Sequence, residues 1–185
     1  YPLSGHVANL SVLFAFCKQY DKIICTSPED GGYPGLSHDK LPRYLNLKTD
    51  YLPYDNGLLN IDLLTEMFRQ NNYKLLFFSS AHTLFPEDIK TIKKTIDKLD
   101  SNTLIIYDAS HPLGLIAGGE FQKPLSEGAD IMLGSTQKSF PGPQGGIILA
   151  DNEELFKTID SSLHFVTVDN PHFHRIAALC ITLEE

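Results

Sequence analysis

The chain has 185 residues, the size of one domain, with 42% apolar and 21% charged residues, which excludes a disordered chain, a collagen-like repeat and a small disulfide scaffold. Its 23 acidic residues outnumber 15 basic ones for a net charge of −8. A nucleic-acid partner is therefore not expected, because phosphate backbones need clustered Lys and Arg.

A helical pattern runs from about His6 to Lys18, with Val7, Leu10, Leu13, Phe14 and Cys17 on one face. Lys22 to Thr26 reads as a short buried strand, followed by a Gly/Pro-rich turn from Ser27 to Gly35. Tyr51 to Tyr54 is a weak strand candidate. Asn60 to Gln70 predicts an amphipathic helix capped by Asn60, with Leu63, Leu64 and Met67 inward. Lys74 to Ser79 is a continuous apolar strand, and Pro86 to Leu99 a helix with proline in its first turn. On that helix Lys90, Lys93, Lys94 and Lys98 form a solvated face. Thr103 to Tyr107 is another apolar strand, ending in Asp108. Ile131 to Gly134 and Ile147 to Ala150 are two more. Asn152 to Asp160 and Pro171 to Leu183 read as helices. Apolar strands alternating with helices imply an α/β fold of three layers, a mostly parallel sheet with helices on both faces.

No apolar run reaches the ~18 residues of a membrane span, so no membrane partner is expected. No signal peptide opens the chain. Cys17, Cys25 and Cys180 lack a CxxC spacing and fit reduced, mostly buried thiols of a cytoplasmic protein. The chain opens at Tyr1, inside what reads as a functional turn, and is expected to be a piece of a longer one.

In parallel sheets ligands gather at the carboxyl ends of the strands, and the polar residues fall there: Ser80 and His82, then Asp108 and His111, then Ser135, Thr136 and Lys138. Lys138, in a Gly/Pro loop after a buried strand, is either a solvated or ion-paired lysine or an amine whose pKa burial lowers, a nucleophile toward an aldehyde. Asp108 can hold a metal, cap a helix, or keep a ring nitrogen protonated so that the ring draws electrons. Ser4-Gly5-His6 opens a helix, either as an ordinary cap or as a phosphate turn that Gly5 lets a phosphate approach. Ser135, three residues before Lys138, can add a hydroxyl to that phosphate. Tyr33, in EDGGYPG, is a surface turn tyrosine or the cover of one face of a planar cofactor. His111 either polarises groups near such a ring or is satisfied by backbone. His38, His164, His172 and His174 show no metal-ligand spacing, and no metal site is expected.

These residues resemble a known family. DASHPLGLIAGGEF from Asp108, then STQK from Ser135 and GPQGG from Gly142, is similar to serine hydroxymethyltransferase, a fold-type-I family dependent on pyridoxal 5′-phosphate. SGHVAN resembles its SGSxAN phosphate turn, DGGYPGLSH its GGHLTHG segment, and PHFHRIAALC a late helix. The resemblance implies that residues 1–185 are the large cofactor domain, with an N-terminal arm and a C-terminal small domain outside the chain, so that the chain alone is inactive or badly impaired. It implies an internal aldimine on Lys138, Asp108 on the pyridine nitrogen, and His111 near the ring hydroxyl and substrate carboxylate. Ser80 would reach the ring oxygen, Ser4, Gly5, His6 and Ser135 would hold the phosphate, and Tyr33 would stack on the ring.

The implied activity is a transferase or aldolase of one-carbon and amino-acid metabolism. It would act on a small β-hydroxy amino acid in a homodimer with a shared site, with tetrahydrofolate as a candidate second cofactor. A threonine transaldolase or aldolase, an aminotransferase or decarboxylase of the same fold, and a non-catalytic relative are the alternatives. Tyr33 replaces the family's stacking His, Gln137 the His before its lysine, and Gln144 the Arg of its GPRGG. VTVDN, from Val166 to Asn170, stands where the family has a Gly-rich segment.

Overall fold

The computed structural model describes residues 2–82 and 85–184. Its strands are β1 (Lys22–Cys25), β2 (Lys48–Tyr51), β3 (Tyr54–Asp55), β4 (Leu58–Leu59), β5 (Leu75–Phe78), β6 (Leu104–Asp108), β7 (Ile131–Ser135) and β8 (Gly146–Leu149). The helices are α1 (Gly5–Phe16), α2 (Leu41–Tyr44), α3 (Ile61–Gln70), α4 (Ile89–Lys98), α5 (Leu113–Ala117), α6 (Pro124–Glu127), α7 (Glu153–Leu163) and α8 (Phe173–Glu184). Six strands form one sheet in the order β2-β1-β5-β6-β7-β8, parallel throughout except for β8, which runs antiparallel to β7. The three-layer α/β architecture follows from strands that are apolar on both faces. Ile24, Leu76, Phe78 and Ile105 pack toward α3 and α4. Their neighbours Ile23, Leu75, Phe77 and Ile106 pack with Ala8, Val12 and Leu13 of α1 and Ile159 of α7. Alternate residues thus feed two cores on opposite sides of one sheet.

Several expected details differ. α1 does not bury the stripe its large residues suggest: Phe14 is 43% exposed, while Asn9 and Ser11 are fully buried. The helix is pinned by polar groups on its packed face, where the Ser11 hydroxyl meets Thr167 Oγ1 at 2.8 Å and the Ser11 carbonyl accepts from Ser162. Small Ala8 and Val12 let it lie close to the sheet. α4 begins at Ile89, after Pro86, because the Asp88 side chain accepts from Thr91 N and fixes the start there. The expected strand at Tyr51–Tyr54 is split: Tyr51 closes β2 and Tyr54 opens the β3–β4 hairpin, with Pro53, which has no N–H to donate, between them. Asn60 caps α3 as expected, but Leu63 is half exposed, and Leu64 and Phe68 are the buried pair. Of the three cysteines only Cys25 is buried, with Cys17 intermediate and Cys180 exposed.

Burial pushes the Cys25 thiol up to about 12. Cys25 is therefore expected to resist alkylation by iodoacetamide at neutral pH in the folded protein and to react once urea unfolds it. Mass spectrometry of the labelled peptide checks this; rapid native labelling would place β1 outside the core.

Candidate cofactor cavity

β5, β6 and β7 end side by side, with Phe78 opposite Tyr107 and Asp108 opposite Leu133. The N-terminus of α1 lies against the same edge. Ser4 is extended and caps the helix by accepting from Val7 N at 3.1 Å. A Cβ on Gly5 would run into the hydroxyl oxygens of Ser135 and Ser110, so this approach of helix start to strand end requires glycine. Between these parts lies a cavity of about 210 Å³. Its lining contains every site residue that the family resemblance implies, Ser4, Gly5, His6, Tyr33, Ser80, Asp108, His111, Ser135 and Lys138, but not His82 or Thr136 from the same strand ends. Residues drawn from separate strands and loops thus converge on one space.

Asp108 is 6% exposed and held from two sides. Its Oδ1 accepts from Ser110 N at 2.9 Å and its Oδ2 from Asn9 Nδ2 at 2.7 Å. Asn9 also donates to the Gly5 carbonyl at 3.1 Å, which uses both amide protons. Its own Oδ1 is buried without a hydrogen-bond partner among the described residues. At the helix end of the cavity, Ser110 Oγ accepts from Ser135 N at 3.0 Å and lies 3.3 Å from Ser135 Oγ. Sequence reasoning missed Asn9 and Ser110. The available signals were a polar residue one helical turn beyond Gly5 and a serine two places after Asp108.

Lys138 is exposed, like its neighbours Gln137 and Ser139, which matches the solvated alternative rather than the buried one. The loop brings it to the cavity rim, where Nζ stands 2.9 Å from His111 Nε2. The backbone beneath that histidine is tied down. Ser139 Oγ donates to the His111 carbonyl and accepts from Gly114 N at 3.0 Å. His111 sits at the rim, yet the cavity partly shields it from water. That desolvation holds its pKa below the ordinary 6.5, the Lys138 ammonium adds to the effect, and the Asp108 carboxylate works against it. His82, which sequence reasoning placed at a strand end without a role, also lowers the His111 pKa through its charge. Across the cavity, Tyr33 OH meets His6 Nδ1 at 2.6 Å. Burial and then the Asp108 charge push the Tyr33 phenol up, so it remains a hydroxyl. Gln137 Oε1 accepts from Gly145 N at 3.3 Å and braces the lysine loop. Ser80 reaches the rim through an antiparallel bridge with Gly32. Among the described residues, no group of three or more His, Cys, Asp or Glu is arranged to hold a metal ion, and no helix is long and apolar enough to cross a membrane.

With this geometry in place, the sequence family described as serine hydroxymethyltransferase matches residues 1–185. The chain belongs to the serine hydroxymethyltransferase family. The serine hydroxymethyltransferase of Methanocella arvoryzae is 41% identical over 188 residues, covering all of this chain and 43% of that protein. That of Methanobrevibacter smithii is 40% identical with the same coverage. Among solved structures, an L-threonine transaldolase from Pseudomonas fluorescens, in its internal aldimine state, superposes with a TM-score of 0.90 at 27% identity. That match covers 99% of this chain and 42% of the transaldolase. The chain spans a little over two fifths of the length of these relatives.

Two outcomes are expected. Asn9→Ala leaves a buried carboxylate oxygen without its donor and should cost about 1–3 kcal/mol in urea unfolding; an unchanged midpoint would mean that the Asn9–Asp108 contact contributes nothing. The lowered pKa of His111 means that the folded state holds fewer protons there than the unfolded chain. Its stability contribution is present above the unfolded value of 6.5 and is lost as pH falls through the lower folded value. His111→Gln should therefore flatten the acid limb of stability against pH; an unaltered limb would assign that limb to other groups.

Proposed function

We propose that the cavity binds pyridoxal 5′-phosphate and that the full-length protein uses it to make or break the Cα–Cβ bond of a β-hydroxy amino acid, with hydroxymethyl exchange between serine and glycine as the first reading. One observation carries this: an exposed-rim amine, Lys138, and a buried carboxylate, Asp108, line one small cavity at neighbouring strand ends. The donor set fits the group. The start of α1 offers backbone N–H groups for a phosphate beside the Ser135 hydroxyl, with Gly5 bare where a methyl would strike the Ser135 and Ser110 hydroxyls. Tyr33 supplies an aromatic wall for a planar ring.

When bound, that cofactor supplies an aldehyde that joins amines and a protonated ring that takes up the electron pair left at Cα. Asp108 would hold a proton on the ring nitrogen, and Asn9 and the Ser110 amide keep both of its oxygens oriented as acceptors. Lys138 would supply the amine that holds the cofactor by its aldehyde. His111 Nε2, at hydrogen-bond distance from that amine, is placed to hold or take one of its protons. Ser80, which lines the same cavity, would reach the ring's oxygen substituent. Tetrahydrofolate is the proposed carrier of the one-carbon unit. In this reading the chain is the large cofactor domain of a cytoplasmic homodimer whose arm and small domain lie in the remaining length of the protein. The free state of Cys17, Cys25 and Cys180 supports a reducing compartment.

A second reading, threonine transaldol or aldol chemistry, is favoured by the structural likeness to the transaldolase. Both begin with a β-hydroxy amino acid and differ in the aldehyde released or accepted.

The test uses the full-length protein. Adding pyridoxal 5′-phosphate should produce an absorbance band at the edge of the visible range that Lys138→Ala abolishes. Asp108→Asn should cut kcat by about 100-fold or more with a much smaller effect on substrate binding, because its charge matters most as electrons move into the ring. Equal loss of both would remove Asp108 from that role. Products from serine and from threonine, with and without tetrahydrofolate, separate the two readings. Absence of any cleavage would contradict both.

A further inference from the structure

His6 offers more than its backbone amide. Tyr33 stands just before the 3-10 turn Pro34–Leu36, with an extended backbone (φ −66°, ψ 117°) of the kind a following proline imposes. Its N–H donates to the Ser79 carbonyl at 2.8 Å, so its main chain is anchored to the end of β5. The side chain is a different matter, because a half-buried ring at the mouth of an open cavity is free to turn about two bonds. Two contacts stop it. At its tip, the hydroxyl meets His6 Nδ1 at 2.6 Å, and the two rings stand edge to face, 6.2 Å between centroids and 77° between planes. At its side, the ring lies over the bare α-carbon of Gly35, where a Cβ would overlap the aromatic carbons and the phenol oxygen. His6 belongs to the first turn of α1, whose start is fixed against Ser110 and Ser135 through Gly5. The Tyr33 ring is therefore registered to the phosphate end of the cavity through one side chain. The His6 nitrogen facing Tyr33 is committed to that bond, which leaves the amide of His6, not this nitrogen, to face an anion.

We infer that His6, with Gly35, is a positioning residue that fixes the plane of the Tyr33 ring against the face of the bound pyridoxal phosphate. The inference rests on the proposed cofactor reading of the cavity. Its physical content is preorganisation: a ring already held in one orientation loses no torsional freedom when the cofactor arrives.

The experiment is a double-mutant cycle on the full-length protein, read by the dissociation constant of pyridoxal phosphate from equilibrium dialysis and by circular dichroism of the cofactor band. His6→Ala and Tyr33→Phe should each weaken binding by about 5- to 10-fold, the scale of one net hydrogen bond plus ring ordering, and the double variant should be no worse than either. Both should reduce the dichroism of the band, since a turning ring no longer imposes one handed environment. Gly35→Ala should do the same by displacing the ring with the hydrogen-bond partners intact. His6→Gln, which keeps an acceptor, should recover part of the affinity. A merely structural histidine would lower the melting temperature and leave the cofactor's dissociation constant and dichroism at parent values; that result overturns the inference. Losses that add in the double variant overturn it as well. In both cases the parent still shows its cofactor band, so the cofactor reading stands. If the parent protein shows no band and no binding, that reading fails and this inference fails with it.

Discussion

The hydrogen bond from Asn9 to Asp108 joins two positions 99 residues apart and sets the geometry of everything around it. It ties the first turns of α1 to the end of β6, so the helix start and the buried carboxylate become one rigid unit. Gly5 makes that closeness sterically possible, and the Ser110–Ser135 contact extends the unit to the end of β7. A buried acid in such a place is costly unless its oxygens are satisfied. Here each oxygen has one donor from the protein, one from a side chain and one from the backbone.

The electrostatics divide the cavity into two sides. One holds Asp108 deep in the protein, shielded from water and braced. The other holds Lys138 at the exposed rim beside a histidine whose pKa is held down. A braced, buried acid opposite an exposed amine is the arrangement that the proposed cofactor reading requires, because there the amine would change covalent partners while the ring stayed still. The rim location also explains why the lysine loop is tethered at its flanks, through Ser139 to the His111 carbonyl and through Gln137 to Gly145. The loop can present its amine freely without losing its place.

Much of this was legible in the sequence because strands that are apolar on both faces announce a covered parallel sheet, and such a sheet announces where its ligands bind. Asp108, Ser135 and Lys138 could be read from their positions after apolar runs. What escaped were pairings between distant residues. Nothing local says that Asn9 will reach Asp108, that Ser110 will sit under Ser135, or that His6 will bond Tyr33. The buried face of α1 was only partly legible for a related reason: its apolar periodicity points to Val7, Leu10, Leu13, Phe14 and Cys17, of which Leu13 is fully buried and Phe14 is exposed. Its packed side is instead set by small residues close to the sheet and by polar contacts to the segment around Ser162 and Thr167. The start of α4 was misplaced because Pro86 is as good a first-turn signal as Asp88 is a cap, and only the observed bond to Thr91 decides between them. For Lys138 the sequence left a solvated and a buried reading open, since a buried strand precedes it and a Gly/Pro loop contains it; the loop carries it to the surface.

The most direct measurement is to treat the full-length protein with pyridoxal 5′-phosphate, reduce with borohydride, and map the modified peptide by mass spectrometry. The account predicts one dominant label, on Lys138, that falls sharply in Asp108→Ala. Labelling spread over surface lysines, or a Lys138 label indifferent to the loss of Asp108, would mean that the amine and the acid do not serve the same ring.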